Sequence, residues 1–354
     1  MMGLVFNVMG SLIERSLNVS LRLSSLISKL IFILMLTRLL TIDELGGYVL
    51  FSSFAVYFVG LVGYEFHTYS NREMLIGNVT REFVVFNLFV FNSVSLLVLL
   101  PVIYFIYDYA GGGRGLFLYF IIIILFELFT LEIFRILVVF SKNIQASLVM
   151  FVKTALWIFI YLLSAHINSQ LVGMNEILMF WIGGLVIGFA VGMYFISSEV
   201  DLSKCFSNKD VSLSWIVKGV KVSSVMFLSS QAILLMYFLD KVFISTLGDV
   251  EMVAIYGVFL GFSGAIYSFV EASVVVYFYP RMVSEYAGGN FVVFHDLKKR
   301  FFLQVLFVNI VLMFILYFMV EVALSWIGKE SYHGYVSVFY ILMCSSLFKS
   351  LSTV

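Results

Sequence analysis

The stretch Leu116-Phe117-Leu118-Tyr119-Phe120-Ile121-Ile122-Ile123-Ile124-Leu125-Phe126 decides what kind of protein this is. It does not alternate polar with apolar residues, as a barrel strand between lipid and lumen would. It opens an apolar run over 116–138, long enough for a helix to cross about 30 Å of hydrocarbon. Nine similar runs lie at 12–40, 48–64, 83–106, 145–164, 177–197, 214–238, 252–275, 301–322 and 335–354. The expectation is an all-α polytopic membrane protein of about ten spans, with the lipid bilayer as its first partner. Composition agrees: 62% of the 354 residues are hydrophobic and 12% charged. A soluble domain has about 25% charge and could not cover so much apolar surface.

Lys and Arg total 21 and so do Asp and Glu. A balanced chain is no polybasic binder, so nucleic acid is excluded as a partner. Cys205 and Cys344 stand far apart, with no metal-ligand spacing and no disulfide framework. The N-terminal run contains Arg15, Arg22 and Lys29 and lacks a small-residue cleavage site, so it reads as an uncleaved first span.

Basic residues set the orientation. With the N-terminus inside, the inner connectors hold Arg15, Arg72, Arg81, Lys142, Lys204, Lys209, Arg281, Lys298, Lys299 and Arg300. The outer ones hold Arg38, Arg114, Lys241 and Lys329. Ten against four favours a cytoplasmic N-terminus. The longest breaks, 198–213 and 281–300, are then both cytoplasmic. The outer connectors are short, which suits a transporter better than an enzyme with an external active-site domain.

Charges within spans are costly and therefore informative. Arg15, Asn18, Arg22, Ser25 and Lys29 fall within about 80° on one helix face. Snorkelling accounts for Arg15 and Arg22 but poorly for Lys29, about 16 Å below the outer end at Leu40. Lys221, Ser224 and Gln231 share a face of span 7, with Lys218 near its inner end, and Lys153 lies near the middle of span 5. Arg22, Lys29, Lys153, Lys221, Ser224 and Gln231 are the expected lining of a cationic cavity. Glu127, Glu132 and Glu271 are the candidates for ion coupling. Glu127 comes first because it has no partner within its own span, and a carboxyl in apolar surroundings can carry a proton. Glu132 could instead pair with Arg135 one turn on, and Lys153 with a carboxylate on a neighbouring helix. Gly184, Gly188 and Gly192, and likewise Gly257, Gly261 and Ala265, form ladders that permit close helix packing. Pro101 should kink span 3, and the many Phe and Tyr are expected to face lipid.

An internal echo joins Gly47-Tyr48-Val49-Leu50-Phe51 to Ile255-Tyr256-Gly257-Val258-Phe259. Thr68-Tyr69-Ser70-Asn71-Arg72-Glu73-Met74 faintly matches Val276-Tyr277-Phe278-Tyr279-Pro280-Arg281-Met282 at nearly the same offset. Two lobes are expected, 1–200 with spans 1–6 and 214–354 with the remaining spans, joined by a cytoplasmic linker at 201–213.

Thr37-Arg38-Leu39-Leu40-Thr41-Ile42-Asp43-Glu44-Leu45-Gly46-Gly47-Tyr48 resembles the passage from the first to the second span in O-antigen and other polysaccharide flippases of the multidrug/oligosaccharidyl-lipid/polysaccharide superfamily. Asp240-Lys241, followed by Ile255-Tyr256, is similar to the start of that family's second lobe. The resemblance implies a multi-pass protein of the bacterial inner membrane acting in lipopolysaccharide biosynthesis. It would move an undecaprenyl-pyrophosphate-linked oligosaccharide between leaflets by alternating access, with no cofactor beyond a proton or sodium gradient. It would work alongside a polysaccharide polymerase and a chain-length regulator. Arg22, Lys29, Lys153 and Lys221 match, by position, the basic residues that face the pyrophosphate. Members have twelve or fourteen spans, so the second lobe reads as incomplete. A multidrug or cation exporter of the same superfamily is the alternative, and a polytopic glycosyltransferase or polymerase a more distant one.

Overall fold

The computed structural model describes residues 2–77, 79–109, 111–168, 171–207, 211–328 and 330–352, with side chains from residue 17 on except at 206, 207, 272, 276, 280, 287 and 330. The side chain of Arg15 and residues Lys209, Lys329, Thr353 and Val354 lie outside that description. The protein is 91% helical, with no strand among the described residues. Among the described residues ten helices are long and apolar enough to cross a membrane. The chain is a multi-pass, all-α membrane protein. A backbone amide in hydrocarbon has no water to bond, so each crossing closes its hydrogen bonds within its own helix.

The order is α1 (Met2–Leu39), α2 (Ile42–Gly63), α3 (His67–Ile76), α4 (Arg81–Tyr109), α5 (Phe117–Val139), α6 (Asn143–Phe151), a π-helical turn (Val152–Leu156), α7 (Trp157–Ile167), α8 (Met174–Ser197), α9 (Leu202–Ser207), α10 (Leu213–Leu247), α11 (Val250–Val270), a second π-helical turn (Glu271–Val275), α12 (Val276–Ala287), α13 (Phe291–Ile327) and α14 (Val336–Leu351). The short helix α3 was not foreseen from sequence. The break expected over 281–300 is helical apart from a tight turn at 288–290. Helix α13 is about 55 Å long, more than the hydrocarbon needs. Its basic turn Lys298-Lys299-Arg300 therefore sits on surplus length near its start. Helix α4 continues through Pro101.

Packing divides the chain into two compact units, Met1–Ser25 with Gly47–Val250, and Leu26–Gly46 with Glu251–Val354. This division by contact differs from the lobes expected from the internal echo. Helix α10 packs in the first unit, and the end of α1 in the second.

In the first unit Arg81 and Lys142 both reach Glu199, at 3.8 and 2.7 Å. The starts of α4 and α6 and the end of α8 thus share one end of the bundle, as alternating spans require. Many Phe and Tyr are exposed, as expected of lipid-facing rings, Phe105, Phe307 and Phe348 among them, while others fill the interior. Phe54, Phe58, Phe120 and Tyr107 are buried, and Phe238 of α10 packs edge-on to Phe54 and stacks on Tyr57 with centroids 4.9 and 4.7 Å apart. In the second unit Val270, Val274, Phe278, Met282, Phe301 and Val305 form the core. Arg38 lies over the ring of Trp326 at 4.5 Å and Lys349 over that of Tyr267 at 4.3 Å.

The glycine ladder of α8 works as a packing seam. A Cβ on Gly184 would stand 2.6 Å from Trp157, one on Gly188 3.0 Å from the Cβ of Lys153, and one on Gly192 2.5 Å from Ile133. Gly183, one residue off the seam, has open space there. Gly184→Ala is expected to lower stability in detergent by about 1–3 kcal/mol through overpacking. Gly183→Ala should be neutral or slightly stabilising, since alanine favours the helix. Thermal unfolding of both variants checks the contrast, and equal midpoints would remove the seam.

Candidate functional site

The expected cavity residues divide between the two units. In the first unit the π-helical turn inserts Lys153 deep in span 5, 2% exposed, where Nζ meets Glu127 Oε1 at 2.5 Å. Glu127 had no partner within its own helix, and the structure supplies one from the next span. Gly188 makes this possible, because its missing side chain lets α8 lie against the backbone of Lys153. Lys153 and Glu127 are thus neutralised by each other. The extra residue in a π turn costs hydrogen-bond regularity, and such turns gather at functional positions.

Glu132 and Arg135 are also paired, Arg135 Nη1 donating to Oε1 at 2.7 Å. Arg22 is exposed, and its Nε donates to Ser147 Oγ at 3.5 Å while Ser147 donates to Asn18 Oδ1. This brings α1 to Ser147, in the second turn of α6, through polar groups. Lys221 of α10 is exposed, and Ser224 donates to its carbonyl at 2.8 Å. Gln231 turns inward towards Gly60, with both amide atoms buried and without a hydrogen-bond partner. The inward amide fits a helix-packing position better than a cavity wall.

In the second unit Lys29 is exposed near the middle of the Leu17–Leu39 span. Glu271 is exposed and opens the second π-helical turn. It lies 21 residues from the start of the 37-residue Val250–Tyr286 helical span.

Two groups were not among the site candidates read from sequence. Tyr64 and Glu65 both adopt left-handed backbone, at φ 52° and 53°. Each such residue costs of order 1–3 kcal/mol. Their turn ends α2 and starts α3 at once, so that His67 faces Glu65, with Nδ1 3.6 Å from Oε2. The bland spacing of Glu65 and His67 in a connector held no signal. Burial, with Arg135 close by, holds the His67 imidazole down from 6.5 to about 3. Glu65, beyond hydrogen-bond distance, does not offset this. Lys241, 8% exposed, donates to Tyr237 O at 2.9 Å.

A groove of about 320 Å³ lies between the π turn with α7 and α8, lined by Val152, Leu156, Trp157, Met179 and Gly183 among others. Among the described residues no cluster of His, Cys, Asp and Glu could hold a metal ion. Cys205 and Cys344 are free thiols. The chain matches no family model, no curated protein and no solved structure.

Lys153→Met should destabilise by about 3 kcal/mol, because it leaves Glu127 partly buried without its counter-charge. Adding Glu127→Gln should restore much of the loss. A double-mutant cycle of unfolding free energies tests this, and additive effects would refute the pair.

The depressed His67 sets a pH dependence. Below about pH 6.5 the unfolded chain takes up a proton that the folded ring refuses. Stability should therefore fall as pH drops from 6.5 towards 3, by up to about 1.4 kcal/mol per unit. His67→Gln should flatten that part of the curve. Unfolding midpoints of both proteins between pH 7 and 5 decide, and parallel curves would show that His67 is not the group concerned.

Proposed function

We propose that the protein is a flippase for an anionic, lipid-linked saccharide, of the undecaprenyl-pyrophosphate class, in the bacterial inner membrane. The carrying observation is Lys29, an exposed ammonium at the middle of an apolar span. A charge at that depth costs several kcal/mol unless water or an anion faces it. Arg22, two turns earlier on the same helix, and Lys221 on α10 are exposed cations as well. The deep lysine that is buried, Lys153, already has its carboxylate. Basic groups exposed along the spans favour a negatively charged cargo over a positive one. A pyrophosphate cannot enter hydrocarbon unaided, and a lysine or arginine wall replaces part of its lost hydration. The lipid tail stays in the bilayer while the head group passes by alternating access. On this reading the N-terminus is cytoplasmic, and a proton or sodium gradient drives the cycle.

Glu271, an exposed carboxylate in a π turn, favours the second reading, a cation or drug exporter of the same superfamily. The two differ in the sign of charge that matters. The test uses the full chain in proteoliposomes containing undecaprenyl-pyrophosphate-linked oligosaccharide, with an added glycosidase reporting the outer leaflet. The wild type should expose saccharide faster than empty liposomes. Lys29→Ala with Arg22→Ala should slow the exposure by about tenfold or more, the equivalent of about 1.4 kcal/mol. Undiminished flipping in that double variant would sink the reading, and loss only in Glu271→Gln would reverse the ranking.

A further inference from the structure

The first unit holds a second group of titratable side chains that the cationic path leaves unused. The left-handed pair Tyr64-Glu65 folds the start of α3 back towards α5. Glu65 Oε2 then lies 3.6 Å from His67 Nδ1. From α5, Glu132 is 1% exposed with Oε1 on Arg135. Its other oxygen, Oε2, is buried without a hydrogen-bond partner, as is His67 Nδ1. Arg135 and Glu65 both act electrostatically on Glu132, and Arg135 acts on His67.

Charge counting gives the consequence. Glu65 and Glu132 carry two negative charges, and Arg135 carries one positive. His67 adds none, because burial beside Arg135 keeps its ring neutral. The cations on the elements around are Arg72 of α3, which is exposed, and those that follow. On α3, Glu73 acts on Tyr69. From α10, Lys218 lies over the Tyr69 ring at 6.0 Å, and Ser223 pairs with Thr68 at 3.3 Å. Beyond α5, Lys142 and Arg81 are taken up by Glu199, and Lys153 by Glu127. Within the group of Glu65, His67, Glu132 and Arg135 itself, one negative charge is left over, beside a carboxylate oxygen that has no donor.

We propose that Glu65, His67, Glu132 and Arg135 form one proton-binding site, with Glu132 Oε2 as the acceptor. The proton comes from water by way of Glu65, which is 22% exposed. One O–H bond forms, the net charge of the cluster goes from minus one to zero, and nothing is oxidised or reduced. The neutral carboxylic acid holds Arg135 less tightly, which frees the guanidinium for Glu65. Proton binding thereby reaches the strained turn between α2 and α3. This deepens the transport reading by naming its ion, yet proton binding is measured without cargo, so the two can fail separately.

The experiment is pH-difference infrared spectroscopy on the full chain in lipid nanodiscs. The expected result is a carbonyl stretch of a protonated carboxylic acid that titrates apart from the exposed carboxylates. It should vanish in Glu132→Gln and persist in Glu73→Gln. In Glu65→Gln the acceptor loses a neighbouring negative charge, so its proton affinity should fall by about tenfold, one pH unit in midpoint. A band that survives Glu132→Gln overturns the proposal. If Glu132→Gln fails to accumulate, Glu65→Gln decides alone, and an unmoved midpoint overturns the proposal equally.

Discussion

Inside hydrocarbon every polar group must find its partner within the protein, and the arrangement of this chain follows from that demand. The backbone meets it by closing helical hydrogen bonds over ten spans. Side chains meet it less uniformly. Lys153 can sit at 2% exposure only because Glu127 is within 2.5 Å, and it reaches Glu127 only because a π turn and Gly188 let α8 come close. The glycine seam, the irregular turn and the ion pair are therefore one feature seen at three scales. None is stable alone, since a buried ammonium without a counter-charge is far costlier than the pair is favourable.

The same demand sorts the charges into two kinds. Lys153, Glu127, Glu132 and Arg135 are held in pairs within the first unit. Arg22, Lys29, Lys221 and Glu271 are exposed on their helices. Paired groups shape the bundle and can store a proton where the pairing is unequal, as around Glu132. Exposed groups are those able to meet a ligand. The proposed anionic cargo rests on the second kind, and the proposed proton site on the first.

Much of this was legible in the sequence. Apolar run length alone supplied the ten spans, because crossing thickness and helical rise are constants of the bilayer and the backbone. The pairing of Glu132 with Arg135 was open to a reading at helical spacing, and Gly184, Gly188 and Gly192 announced a close approach. The inward course of Gln231 was not legible. Neither was the burial of Phe54, Phe58 and Tyr107, since an apolar ring is equally at home against lipid or against a neighbouring helix.

By itself the sequence determined that the chain crosses a membrane as helices, and which residues carry charge at depth. Both are local properties, set by composition and by distance along one helix. Only the tertiary structure decided which of those charges meet. The Lys153–Glu127 pair joins different spans, and the cluster of Glu65, His67, Glu132 and Arg135 needs two residues in left-handed backbone to turn α3 towards α5. Such contacts depend on the rotation of each helix about its own axis and on the course of a short turn, and neither is written in hydrophobic periodicity when almost every face of a span is apolar.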